Sequence, residues 1–126
     1  MKIFLAHLIA LFLLISCTRN AKVLFDIPTQ IPLAAQNEMK LICDKGLALW
    51  QLNCGKCHNQ KVGNKIYVPD FTQMQLAGYE LRTGNKEHET NLSQAQISAD
   101  ELNNIITFLT YKKKSGIPFK VKQNSK

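Results

Sequence analysis

At 126 residues the chain has room for one domain at most. Its formal net charge of +7 describes its surface and possible partners, not its fold. No paired carboxylates, nucleophile–base pair or phosphate-cradling loop stands in it, and no internal repeat or low-complexity tract. No nucleic-acid-binding motif accompanies the charge, so no nucleic-acid partner is expected.

Residues 1–16 read as a leader. Met1-Lys2 is a short basic start, and Ile3 to Ile15 is an apolar run broken only by His7. The run is too short for a typical spanning helix and has the layout of a secretory signal. It ends Leu14-Ile15-Ser16-Cys17. This resembles the bacterial lipobox, in which a small residue precedes a cysteine that becomes the lipidated N-terminus. The other readings are an ordinary signal peptide with an incidental cysteine, or an uncleaved anchor. The lipobox implies an exported protein, lipid-anchored at Cys17 to a bacterial membrane and facing the periplasm. Several acyl chains on one cysteine give stable attachment where one chain is marginal. Lys2 is the single charged residue that leaves with the leader, so +7 becomes +6.

Residues 17–35 form a lipidated connector. Pro28 and Pro32 argue against helix, yet Val23, Leu24, Phe25, Ile27, Ile31 and Leu33 are too apolar for a free tether. Part of it is expected to lie extended against the domain, which spans 36–116. Residues 36–53 read as the first helix. Met39, Ile42, Cys43, Gly46, Leu49 and Trp50 recur at three- and four-residue steps. Gly46 costs about 1 kcal/mol against Ala inside a helix, which points to a close contact there. Cys43, with no partner cysteine left to it, reads as a small buried apolar side chain.

The helix leads into Cys54-Gly55-Lys56-Cys57-His58. C-x-x-C-H is the attachment signature of c-type haem. Cysteines three apart share one face of a helical turn and reach two vinyl groups on one haem edge. His58 follows directly and binds the iron as proximal ligand. The competing readings are part of a zinc site or a redox dithiol. A structural zinc site usually wants a second close pair of ligands, and here only Cys43 and His88 stand apart. A dithiol motif wants a preceding strand, and here a helix precedes.

With Gly46, Trp50 and Cys54 spaced four and four, the stretch resembles class I cytochromes c. In that family a helix carries a glycine, then an aromatic residue, then the haem motif. The resemblance implies an all-α fold: a small domain with crossing N- and C-terminal helices and one covalent haem c in its core. A core of about 80 residues is marginal alone, and a buried haem would fill much of its centre. After the motif comes a polar loop, Asn59 to Lys65, and then Tyr67-Val68-Pro69-Asp70-Phe71. The resemblance gives Pro69 the backbone carbonyl that accepts a hydrogen bond from His58. Such a bond fixes the ring's tautomer and raises the basicity of the ligating nitrogen.

A middle helix is expected over 73–82. Thr72 and Gln75 make a capping box, Leu76 and Tyr79 face inward, and Gly84 caps the end. The last helix opens with the Ser98 and Glu101 capping box, with Asp100 in its first turn. Leu102, Ile105, Ile106 and Leu109 follow the helical period. Lys112, Lys113 and Lys114 are expected at its C-terminal end, with Gly116 as the stop. In the family this helix crosses the first, so Ile105 and Phe108 are expected over Gly46 and Trp50. Residues 117–126 read as a basic tail, in which Pro118 and Phe119 are expected to touch the domain and 124–126 to be disordered.

The family's second iron ligand is a methionine four residues after the glycine that ends the middle helix. Four residues after Gly84 stands His88, so the resemblance implies bis-histidine iron. Met74 is the alternative, although its place in the first turn of a capped helix suits core packing better. A vacant sixth site ranks third. A six-coordinate haem passes single electrons, so the preferred function is a membrane-tethered electron carrier between exported or membrane redox partners. It is not itself an enzyme, and its basic surface suits an acidic partner. The alternative is a haem sensor or small-ligand binder with a displaceable or vacant sixth site. A further possibility is a fixed subunit of a larger oxidoreductase, docked through residues 22–33.

Overall fold

The computed structural model describes residues 19–20, 22–79, 88 and 97–120. The leader, Cys17, Gly84 and residues 121–126 lie outside these. In chain order the elements are β1 (Arg19–Asn20), α1 (Leu33–Asn53), α2 (Gly55–His58), β2 (Gln60–Val62), β3 (Lys65–Tyr67), α3 (Gln73–Ala77) and α4 (Ala99–Tyr111). Among the described residues, no helix is long and apolar enough to cross a membrane.

Helix α1 begins three residues earlier than expected. Pro32 occupies the N-cap with φ −54° and ψ 146°, and its carbonyl accepts from the Gln36 N–H at 3.0 Å. A helix start leaves its first N–H groups unused, so the proline marks the entry and does not block it. Cys43, Gly46 and Trp50 are buried along the helix, as their spacing predicts. Helix α4 crosses α1 at Gly46. A Cβ added there would come 2.6 Å from the Phe108 Cβ and closer still to the Asn104 carbonyl oxygen. The core gathers at this crossing: Trp50, Phe71, Ile105, Phe108 and Leu109, with Val68 and Leu76 at its edge.

The all-α expectation fails between residues 60 and 67. There β2 and β3 form an antiparallel hairpin, with Gln60 opposite Tyr67 and Val62 opposite Lys65. Gly63 and Asn64 make the two-residue turn, and Gly63 has φ +58°. Glycine first in a two-residue loop matches the type II′ turn that hairpin twist favours. Strand β1 adds to the other edge of β3, in parallel, so the sheet order is β1-β3-β2. The architecture is therefore mixed, mainly helical with a small sheet.

Both flanking segments are fastened to the domain, as expected of the connector and of Phe119. The Asp26 N–H donates to the Tyr111 carbonyl at 2.7 Å, and the Lys113 N–H to the Leu24 carbonyl at 2.7 Å. Phe25 sets its ring edge-on to Phe108, with centroids 6.3 Å apart. At the other end the Asp70 N–H donates to Ile117 and the Phe119 N–H donates back to Asp70, at 2.6 and 2.8 Å.

Both capping boxes form. Thr72 and Gln75 exchange side-chain-to-backbone hydrogen bonds, and so do Ser98 and Glu101. The Ser98 contacts hold the Glu101 carboxyl below its ordinary range. Helix α3 ends at Ala77 with Gly78 as its C-cap; residues 80–82 of the expected middle helix lie outside the described residues. Helix α4 ends at Tyr111, before the lysines expected to complete it. Lys112 is extended, at φ −61° and ψ 139°, because its backbone bridges to Phe25.

Candidate functional site

The motif sits where α1 gives way to α2. Cys54 is the hinge: its N–H donates to Trp50 at 2.8 Å and its carbonyl accepts from the His58 N–H at 2.9 Å. One helical turn therefore carries both thiols and the imidazole, and the two thiols differ. Cys54 is 9% exposed and Cys57 lies open to solvent. Burial pushes the Cys54 thiol up to about 11, partly offset by the Tyr79 hydroxyl that donates to its sulfur; the nearby Cys57 adds to the rise. Burial, then the Cys54 contact, raises the Tyr79 phenol as well.

Three residues absent from the sequence-based set shape the surroundings of His58. Asn59 closes the α2 turn, and its Oδ1 accepts from the Trp50 indole N–H at 2.8 Å. That bond ties α1 to the end of the motif. The Trp50 ring then lies 6.1 Å from the His58 ring. Phe119 comes from the C-terminal segment to lie 5.5 Å from His58 and stacks on Phe71 at 4.3 Å and 19°.

Asp70 is the third. Its Oδ1 accepts from Lys112 Nζ at 2.5 Å and from the Ser115 N–H at 2.9 Å, and its Oδ2 accepts from the Gly116 N–H at 2.8 Å. Lys112 is 2% exposed. Burial works to raise the Asp70 carboxyl, but the bonds from Lys112, Ser115 and Gly116 prevail and hold it below its ordinary range. This carboxylate fastens the segment that delivers Phe119. Chain spacing gives no hint of the pairing, since 42 residues separate Lys112 from Asp70.

The predicted iron ligands divide clearly. The His58 and His88 rings lie 5.9 Å apart between centroids, tilted by 34°. Two imidazoles sharing one metal at about 2.0–2.1 Å per bond hold their ring centres about 6 Å apart. Two thiols in the motif and two imidazoles at this separation are a donor set that fits a covalent haem. Met74 is 82% exposed, so it does not pack in the core as expected. The α3 capping box aims its inner face with Leu76, which leaves position 74 outside. Pro69 is among the most fully buried residues, between Val68 and the Asp70 cluster. No family model, no curated protein and no solved structure matches this chain.

The remaining cysteine of the domain behaves as read. Cys43 is fully buried, and burial, then the Asp44 charge, pushes its thiol up to about 11. Cys17 lies outside the described residues. Among the described residues, no three of His, Cys, Asp and Glu converge as a metal cluster.

Proposed function

We propose that this protein is a mono-haem c-type cytochrome that carries single electrons, exported and lipid-anchored at Cys17 to a bacterial membrane. The observation that carries the reading is the His58–His88 pair, 5.9 Å apart, with His58 directly following Cys57 in the motif. Bound there, the haem would supply an iron that accepts and releases one electron. Cys54 and Cys57 would hold it through thioethers, and His58 and His88 would supply nitrogen ligands to the iron. The Pro69 carbonyl would receive the second N–H of His58 and fix its tautomer. Trp50, Phe71, Tyr79 and Phe119, which cluster about His58 and Phe71, would limit water near the group and so lower the reorganisation that accompanies each electron. With both histidines on the iron no position would be left for substrate, so the reading is electron transfer to protein partners and not catalysis.

The test is a haem stain after denaturation together with optical spectra in both redox states. A denatured chain without haem signal refutes the reading. Imidazole donates to ferric iron better than a thioether does, so His88→Met should raise the reduction potential. A potential and spectrum unmoved in His88→Ala would remove His88 as a ligand. Slow or absent CO binding by the ferrous protein is expected of the carrier; rapid binding at neutral pH would favour a small-ligand sensor.

A further inference from the structure

The short strand β1 fixes how the protein meets its membrane. It begins two residues after Cys17, and its pairing to β3 is parallel, with Arg19 beside Lys65 and Asn20 beside Ile66. In a parallel pair, residues preceding Arg19 run toward the same end of the sheet as those preceding Lys65. That end is the hairpin turn, Gly63-Asn64. Two residues span at most about 7 Å, so Cys17 can be no more than about 7 Å from Arg19, which pairs with Lys65 beside the turn. Nor does the chain after β1 provide slack, since Leu24 and Asp26 are hydrogen-bonded to Lys113 and Tyr111.

The turn itself has the composition of a lipid contact. Residues 61–65 are all exposed, and Val62 is 54% exposed between Lys61 and the turn. Lys61 precedes that valine and Lys65 pairs with it across the hairpin, so two cations accompany one apolar side chain. Resting on the assignment of Cys17 as the lipidated residue, we propose that the hairpin tip, residues 61–65, is the surface that lies against an anionic bilayer. The acyl chains enter the bilayer beside it. His58 precedes Gln60 at the other end of the hairpin, so the histidine pair is held away from the lipid contact.

Nitroxide accessibility in vesicles tests this. The full chain, matured in a host that acylates lipoproteins, is placed in vesicles of phosphatidylglycerol and phosphatidylethanolamine. Nitroxides are attached to Val62→Cys or to Leu33→Cys, with the signal of the parent chain subtracted. Leu33 is 70% exposed and opens α1. It lies about 27 Å along the helix axis from Gln51, which lines one surface cavity with Lys61 and Ile66. The Val62 nitroxide should be at least about twofold less accessible to a water-soluble nickel chelate than the Leu33 nitroxide, as for a group in the headgroup layer. Equal accessibility on protein whose N-terminal peptide carries acylated Cys17 overturns the inference alone. An N-terminal peptide with Cys17 unmodified overturns the anchor assignment, and this inference with it.

Discussion

The crossing of α1 and α4 and the cluster around Asp70 are both joints between distant parts of the chain, made of opposite materials. At Gly46 two helices touch because a side chain is missing, and the surroundings are Trp50, Ile105 and Phe108, all fully buried. At Asp70 one carboxylate gathers an ammonium and two backbone N–H groups. The first joint sets the scaffold on which the motif is mounted. The second places Phe119 beside His58, and so sets the local surroundings of one histidine. Damage to the first should therefore abolish the fold, whereas damage to the second should weaken the fold and disturb the site together.

The largest effect is expected at Gly46. In Gly46→Val the new side chain meets the Asn104 backbone, which cannot swing aside as a flexible side chain does. The helices must part and the shared core opens with them. We expect no cooperative unfolding transition by circular dichroism at 25 °C. A variant with a normal transition would show that the crossing tolerates separation, and the scaffold role would have to be reassigned.

Next is Lys112→Met, which leaves Asp70 without its cation. Removing one partner of a buried pair costs roughly 3–5 kcal/mol, and the lower end applies here because Asp70 keeps two N–H donors. The second variant, Asp70→Asn with Lys112→Met, should recover part of the loss in urea unfolding, since no lone charge remains. If the double variant is as unstable as the single, packing of the lysine stem matters and the charge pair does not.

A smaller effect, about 1–2 kcal/mol, is expected for Phe119→Ala, which removes a half-buried ring stacked on Phe71. This variant separates stability from site order. On the haem reading, water gains access to the proximal side and the reduction potential should fall, as oxidised iron is the better solvated state. Phe25→Ala loses a comparable ring contact on the far side of Phe108 and should leave the potential unchanged. Equal potentials in the two variants would reduce Phe119 to a packing residue.

What could be read from the sequence follows the same division. The apolar joint is periodic: Gly46 and Trp50 on one helix, Ile105 and Phe108 on the other, with capping boxes marking helix starts at Thr72 and Ser98. Local rules suffice for such features. The polar joint is not periodic, and Asp70 and Lys112 are ordinary charged residues until the fold brings them together. Spacing even misdirects there, because three consecutive lysines after Tyr111 look like a helix end, while the backbone at 112 is already committed to Phe25. The hairpin was legible but outweighed. Gly63-Asn64 is a hairpin dipeptide, yet the lysines and short strands around it read as a polar loop. Pro32 was misread for the opposite reason, as a barrier where it serves as an entrance.

The subtlest difference between the joints lies in acid. Asp70 has its folded-state carboxyl held below the ordinary range, so it contributes stability above the unfolded value of about 3.9 and loses it as pH falls through the lower folded value. The stability difference between the parent and Asp70→Asn should therefore stay constant from about pH 7 to 5 and shrink below about pH 4, because protonation makes the parent resemble the variant. Glu101 is also depressed, but it is present in both proteins and cancels in the difference. Phe108→Leu provides the contrast, since it perturbs a fully buried apolar contact that no proton touches. Its deficit should be flat across the same range. A deficit of Asp70→Asn that is equally flat would mean that the carboxylate's charge does not hold the C-terminal segment, and that its neutral hydrogen bonds are enough.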